Sequence, residues 1–114
     1  MNLGVPTGGL EDESTWLVDV LKFRRIDPGA ELAARGATWF EGDDGGQIHL
    51  SVDPDHRPPA RAHVAFELGG ELAAIEQRLE ADGVPFDVGG QQGMRVVVCR
   101  DPAGNRWELR GSQP

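Results

Sequence analysis

An internal repeat constrains the fold of this chain more than any other feature of its sequence. When residues 39–50 are set over residues 98–109 without a gap, the offset is 59 positions (98 − 39). Each segment has the pattern of a strand, a turn and a strand, and Gly45 falls on Gly104 within the two turns. The repeat therefore predicts two similar modules within the 114 residues of the chain.

A helix is predicted ahead of the hairpin in each half. Apolar residues recur at helical spacing over residues 11–21 and again over residues 71–82, where Gly83 follows as a C-terminal stop signal. A short third helix is predicted at Ala30–Ala34. Period-two patterns predict further strands on both sides of the main helices, at residues 2–5, 23–27, 63–68 and 85–88. Each half therefore reads as βαβββ, and the predicted fold class is α+β.

The two halves are predicted to form a single domain over residues 1–114. Module one covers about residues 1–52, a proline-rich linker covers 53–60, and module two covers about 61–112. A half of roughly 50 residues buries too little surface to be stable alone, so two halves must pack together, within the chain or across a dimer. His56 lies in the linker and is expected to be solvated.

Composition excludes several classes of protein. Cys99 is the only cysteine, which excludes an intrachain disulfide framework and a cysteine-rich zinc site. The first residues lack the pattern of a signal peptide, and no window approaches the roughly 18 apolar residues of a membrane span. A cytoplasmic protein without membrane contacts is therefore expected.

The charge balance argues against nucleic-acid binding. Nineteen acidic and eleven basic residues give a formal net charge of −8, and Lys22 is the only lysine. Nucleic-acid binders need a basic face that displaces counterions from phosphates, and the sequence has no basic run. An acidic balance is compatible with attraction for cationic small molecules.

Alternation along three strands predicts two faces for each sheet. The apolar set should pack under the helices: Ile48, Leu50, Val64, Phe66, Leu68, Trp107 and Leu109. The alternate set should lie on the opposite face, which is called the polar face below: Gln47, His49, Ser51, His63, Ala65, Glu67, Arg106, Glu108 and Arg110. The three tryptophans, Trp16, Trp39 and Trp107, are expected in the core.

Three residues of the polar face form a candidate metal site. His49, His63 and Glu108 supply two imidazoles and a carboxylate, the ligand set of Fe, Mn, Ni or Zn sites that keep open positions. The alternative interpretation is that three polar side chains face solvent on a half-exposed sheet, as antiparallel sheets routinely allow.

Two segments of the second module carry a family resemblance. Residues 62–66, Ala-His-Val-Ala-Phe, open this module, and residues 101–109, Asp-Pro-Ala-Gly-Asn-Arg-Trp-Glu-Leu, close it. Residues 15–23 look like a helix-to-strand passage in which Lys22 stands where a glycine is common. Together with the two-module pattern, these segments resemble the vicinal oxygen chelate superfamily of glyoxalases, bleomycin-resistance proteins, fosfomycin-resistance enzymes and extradiol dioxygenases.

The resemblance implies two βαβββ modules that form a curved mixed sheet around a cleft, with helices on the outer face. Metal ligands in this family come from the first and last strands of each module, which implies His63 and Glu108 in the second. His49 stands where the family often has a glutamate. The opening position of the first module falls near Asn2 or Gly4, and neither is a histidine.

Two classes of function follow from the resemblance. The first is a lyase, isomerase or transferase that chelates a small molecule on a divalent metal (Zn, Ni, Mn or Fe), with Glu67 as a candidate base and Gln47 and Arg106 as ligand contacts. The alternative is a bleomycin-resistance-like protein that sequesters a small molecule without metal. The retained histidines favour the first class, and the acidity and the missing opening histidine favour the second. The absence of tyrosine weighs against the extradiol dioxygenases. A homodimer is expected in either case.

Overall fold

The two predicted modules are present as two compact units. The computed structural model describes residues 1–36, 38–90 and 93–112. The chain divides into Met1–Arg57 and Pro58–Pro114, and each unit contains one βαβββ module. None of the helices in the described part of the chain has the length and apolar character that crossing a membrane requires.

The described residues of the first unit form four strands and two helices: β1 (Asn2–Val5), α1 (Leu10–Asp19), β2 (Arg24–Ile26), α2 (Ala30–Ala34), β3 (Thr38–Glu41) and β4 (Gln47–Val52). The strands form a mixed sheet in the order β1-β4-β3-β2. Strand β1 runs parallel to β4, and the other pairs are antiparallel. The bounds of α2 are those predicted from the sequence.

The second unit repeats this arrangement, with no counterpart of α2 among its described residues: β5 (His63–Glu67), α3 (Leu72–Ala81), β6 (Phe86–Gly89), β7 (Met94–Arg100) and β8 (Arg106–Ser112). The sheet order is β5-β8-β7-β6, with β5 parallel to β8 and the other pairs antiparallel. A single 3₁₀ turn at Gly69–Glu71 leads into α3. The predicted α+β class is confirmed, and both main helices begin and end within two residues of the predicted bounds.

The turn of the repeated hairpin has the same hydrogen bonds in both units. The Gly42 amide donates to the Gly46 carbonyl at 2.9 Å, and the Asp101 amide donates to the Asn105 carbonyl at 3.0 Å. The glycine inside each turn, Gly45 or Gly104, has a positive φ of 87° or 84°. These residues correspond at the offset of 59, so the repeat seen in the sequence is a repeat of backbone geometry.

The predicted alternation describes the core of each unit. Helix α1 contacts β4 in the first unit, and α3 contacts β8 in the second. The residues predicted to face the helices are buried in β4, β5 and β8: Ile48, Leu50, Val64, Trp107 and Leu109. Phe66 and Leu68 are half-buried. The alternate residues of these strands are exposed or half-buried, which confirms the two predicted faces.

A left-handed residue follows each main helix. Lys22 has a φ of 60° and is the one residue other than glycine with a positive φ among the described residues. Gly83 has a φ of 69° at the corresponding place after α3. The next amide bonds back to the helix in both units, from Phe23 to the Leu17 carbonyl and from Val84 to the Leu79 carbonyl, each at 2.9 Å. The geometry explains why a glycine suits this position.

Candidate functional site

The parallel pairing of β5 with β8 gathers the polar side chains of the second unit. In the register of these strands, His63 lies opposite Arg106, Ala65 opposite Glu108, and Glu67 opposite Arg110. The residues between them face the core, where Trp107 and Leu109 are fully buried. Side chains from the first and last strands of the module therefore lie next to each other on the polar face.

His63 and Glu108 form a close pair on this face. The His63 Nε2 atom lies 3.3 Å from Oε2 of Glu108, and His63 Nδ1 lies 3.1 Å from the Arg61 carbonyl oxygen. A carbonyl oxygen only accepts hydrogen bonds, so Nδ1 carries the hydrogen in the neutral ring. Nε2 then turns its lone pair toward a carboxylate oxygen. Two electron-pair donors face each other, and a proton or a metal cation between them would satisfy both.

The geometry of this pair fits two ligands of one divalent metal. Metal bonds of 2.0–2.2 Å at octahedral or tetrahedral angles place two donor atoms about 2.8–3.6 Å apart, which includes the observed 3.3 Å. A metal-binding histidine usually donates its other ring N–H to a carbonyl or carboxylate, as Nδ1 does here to Arg61. The side chains are 34% and 19% exposed, so a ligand could reach the position between them.

Arg110 keeps Glu108 in its charged form. Its NH2 group donates to the same Oε2 atom at 2.9 Å, and this hydrogen bond lowers the pKa of Glu108. Burial opposes the shift, while the charges of His63, Arg110 and Arg106 add to it. Glu108 is therefore a carboxylate at neutral pH, which is the form that binds a cation.

His49 lies on the polar face of the first unit, against an aromatic ring. Its imidazole stacks on Trp39, with ring centroids 3.8 Å apart and planes inclined by 12°. The Nε2 atom is buried and has no hydrogen-bond partner in the described part of the chain. Burial lowers the pKa of His49, and the charge of the N-terminus lowers it further. A neutral imidazole with an unsatisfied nitrogen suits metal binding.

Trp39 is not a core residue, contrary to the expectation from the sequence. It is half-buried on the polar face, because β3 pairs with β4 so that Trp39 lies opposite His49. Trp16 and Trp107 are buried in the core as predicted, with 5% and 0% of their surface exposed.

The full three-ligand set remains a prediction. His49 belongs to the first unit, whereas His63 and Glu108 belong to the second. Within either unit, the described residues contain no group of three His, Cys, Asp or Glu side chains that could hold a metal ion. The second unit supplies a pair of donors, and the first supplies one neutral imidazole.

The other predicted site residues lie on the polar faces. Gln47 is exposed on β4, two residues before His49, and matches Arg106 at the offset of 59. Glu67 is exposed on β5, opposite Arg110 in the strand register. It is four residues, or about 13 Å along the strand, from His63. Glu67 therefore neighbours the arginine that holds Glu108 rather than the His63 imidazole.

The sequence matches the family profile described as the Glyoxalase/Bleomycin resistance protein/Dioxygenase superfamily over residues 2–109. This match covers nearly the whole chain. The chain belongs to this superfamily. A comparison with curated proteins found no match.

Solved structures share this glyoxalase-type fold. A putative glyoxalase family protein from Bacillus anthracis is 25% identical, with a TM-score of 0.84 over 98% of this chain and 91% of that one. A glyoxalase/dioxygenase from Nostoc punctiforme is 20% identical, with a TM-score of 0.78 over 99% and 90%. The fosfomycin resistance protein FosX from Listeria monocytogenes, complexed with Mn(II) and sulfate, is 17% identical, with a TM-score of 0.71 over 98% and 88%.

Strand register corrects the expected counterpart of His63 in the first module of this glyoxalase-family chain. Asn2 lies opposite His49, as Ala65 lies opposite Glu108. Asn2 therefore corresponds to Ala65, and Gly4 corresponds two residues later to Glu67. Neither residue is therefore the counterpart of His63. The sequence alignment had placed that counterpart too far toward the C-terminus. The Asn2 side chain accepts a hydrogen bond from the Ser51 hydroxyl at 2.8 Å.

His56 is half-buried, whereas the sequence predicted a solvated linker residue. A Cβ atom built on Gly4 would lie 3.1 Å from the His56 Nδ1 atom, so the imidazole occupies the space beside a strand glycine. A glycine inside a strand often marks such a close approach, and this was the available signal. The role of Arg110 in holding Glu108 was also missed, because alternation gives the face of a residue and not its partner.

Proposed function

We propose that this glyoxalase-family protein binds a small organic molecule by two neighbouring oxygen atoms on a divalent metal. His63 and Glu108 would hold the metal together with His49 from the first module. One observation carries the proposal: His63 Nε2, with its tautomer set by the Arg61 carbonyl, faces a charged carboxylate oxygen at 3.3 Å. Such a pair of donors can bind one metal cation between them.

A divalent metal would polarise the ligand oxygens as a Lewis acid. The side chains around the metal would each have a separate role. Arg110 keeps Glu108 charged, Gln47 and Arg106 offer hydrogen bonds to the ligand, and Glu67 is the proposed base for a ligand that extends past Arg110. Lyase, isomerase and transferase reactions are all compatible with these roles.

Manganese is the first metal to test among Zn, Ni, Mn and Fe. The FosX protein that shares this fold was crystallised with Mn(II). An imidazole and a carboxylate are suitable ligands for manganese, and they also accept the other three metals.

A second candidate function is supported by the contact between Arg110 and Glu108. Because Arg110 donates to the same Oε2 atom that faces His63, the carboxylate has a cationic partner without any metal. The protein would then sequester a small molecule in the manner of a bleomycin-resistance protein. The same titration separates the two functions.

The test is a calorimetric titration of untagged protein with Mn²⁺. We expect a dissociation constant below about 100 μM, since few protein ligands give modest affinity. His63→Ala and Glu108→Gln should each weaken binding by about tenfold or more. Glu31→Gln removes the same charge from the exposed end of an ion pair on α2, and serves as the matched control.

Unchanged binding in both site variants would refute the proposed ligands. If wild-type protein binds none of the four metals more tightly than about 100 μM, the metal-dependent function fails and metal-free sequestration is the better account.

We also propose that the protein is a cytoplasmic homodimer. Each four-stranded sheet has two edge strands, and an edge strand can pair its backbone with a strand of another chain. Light scattering should then give a particle of twice the 12.3 kDa chain mass, and a 12.3 kDa particle would contradict the dimer.

A further inference from the structure

Three arginines lie on the polar face of the second sheet, and two of them have fixed partners. Arg110 donates to Glu108 at 2.9 Å. Arg100 donates through NH1 to the Gly104 carbonyl at 2.9 Å and makes longer contacts with the carbonyls of residues 59 and 60. These two guanidinium groups therefore serve the protein's own structure.

Arg106 is the arginine of this face that has no such partner. It lies on β8 between His63 of β5 and Arg100 of β7 in the strand register. Its half-buried side chain forms no hydrogen bond and no ion pair with any residue that the structure describes. Its charge acts on Glu108, where it contributes to the lowered pKa of that carboxyl group.

A cavity of about 530 Å³ opens beside Arg106 within the second unit. Its walls include the apolar side chains of Pro85, Phe86 and Val98. Val98 lies opposite Glu108 in the register of β7 with β8, so the cavity begins next to the candidate metal ligands. The volume lies within the range of small-molecule sites, about 300–1,000 Å³.

Asp87 is the acidic residue of this cavity, and it does not neutralise Arg106. It lies on β6, opposite Val98 of β7, and is therefore two strands away from β8. Asp87 and Arg106 form no ion pair in the described part of the chain, so the guanidinium remains available to a ligand.

We propose that Arg106 binds a phosphate group of the ligand, so that the ligand is an organic phosphate and an anion. A guanidinium group matches two oxygens of such a group with paired hydrogen bonds. The inference rests on the proposed function, because the anion would occupy the cavity beside the metal ligands. It reverses the expectation from the net charge of −8, which favours cationic ligands over the surface as a whole. The charge of the side chains that line the cavity, rather than the net charge of the chain, determines which ligand binds there.

The test compares two probes, 2-phosphoglycolate and glycolate. Both contain a carboxylate next to a second oxygen atom, and only the first has a phosphate group. We expect 2-phosphoglycolate to bind wild-type protein at least about tenfold more tightly in calorimetric titrations, with and without Mn²⁺. Arg106→Gln should abolish this advantage. Arg106→Lys should retain part of it, because lysine keeps the positive charge but lacks the paired N–H donors of the guanidinium group.

The matched control is Arg35→Gln, which removes the same charge from an exposed ion pair on α2. This variant should keep the full preference for 2-phosphoglycolate. Equal binding of the two probes by wild-type protein, or a preference that survives Arg106→Gln, would overturn the inference. The titration without Mn²⁺ keeps the two proposals separate, since a missing metal site would refute the proposed function and leave the phosphate preference measurable. If Arg106→Gln does not fold, an undiminished preference in Arg106→Lys overturns the inference and a reduced one supports it.

Discussion

The hairpin of β3 and β4 in the first module and the hairpin of β7 and β8 in the second have the same turn and different polar faces. The turn glycines, Gly45 and Gly104, differ by 3° in φ (87° − 84°). On the polar face, the first module has a neutral imidazole stacked on Trp39, and the second has Glu108 between an imidazole and a guanidinium. The two modules therefore share the backbone geometry of the turn and differ in the polar side chains beside it.

The two turns also differ in how they are held. In the second module, the Asp101 carboxylate accepts hydrogen bonds from the amides of Ala103 and Asn105 and from the buried indole of Trp107. In the first module, the exposed Asp44 side chain accepts one hydrogen bond, from the Gly46 amide. The Asp101 carboxylate therefore ties the turn of the second module to its core, whereas the Asp44 hydrogen bond stays within the turn of the first. This difference predicts unequal responses when the same type of residue is replaced in the two modules.

The largest expected effect is that of Trp107→Ala. Trp107 is fully buried, and its indole N–H donates to Asp101 at 2.8 Å. Its truncation should lower the free energy of unfolding by about 3–5 kcal/mol in chemical denaturation. Trp39→Ala, in the first module, removes a half-buried ring and should cost less than about 2 kcal/mol. Equal losses would show that the modules do not differ in this way.

A smaller difference is expected between Asp101→Ala and Asp44→Ala. Asp101 is 5% exposed, and its removal leaves the buried indole and amide donors without an acceptor. This should cost about 2–3 kcal/mol of unfolding free energy, whereas the exposed Asp44 should contribute within about 0.5 kcal/mol. The same denaturation measurement checks both variants. A comparable loss in Asp44→Ala would mean that the first turn depends on its aspartate as much as the second.

The smallest effect concerns the residue after each main helix. Lys22 has a left-handed backbone conformation, which costs about 1–2 kcal/mol for a residue with a side chain. Glycine avoids this strain, but it also increases the entropy of the unfolded chain, which offsets part of the gain. Lys22→Gly should therefore raise the unfolding free energy by about 0.5–1 kcal/mol. Gly83→Ala should lower it by about 1 kcal/mol, although a Cβ there has free space. A destabilised Lys22→Gly variant would indicate that the lysine side chain makes a compensating contact.

The sequence predicted the fold and the composition of the polar faces, because both depend on local patterns. The repeat gave the two modules, and alternation placed His63 and Glu108 on one face. The sequence could not predict which side-chain atoms would be in contact. The stacking of His49 on Trp39 depends on the register of β3 with β4, and the hydrogen bond from Arg110 to Glu108 depends on rotamers. The position equivalent to His63 was misplaced for the same reason, since register is a property of paired strands and not of one segment.

The central proposal is that His63, Glu108 and His49 bind one metal, and crystals grown with Mn²⁺ would test it most directly. Anomalous diffraction at the manganese edge locates the ion without assumptions about its ligands. The account predicts one strong anomalous peak at bonding distance from His63 Nε2 and the Glu108 carboxylate, with His49 as the ligand from the first module. A peak at other residues, a peak that lacks His49, or no peak beside His63 and Glu108 would contradict it.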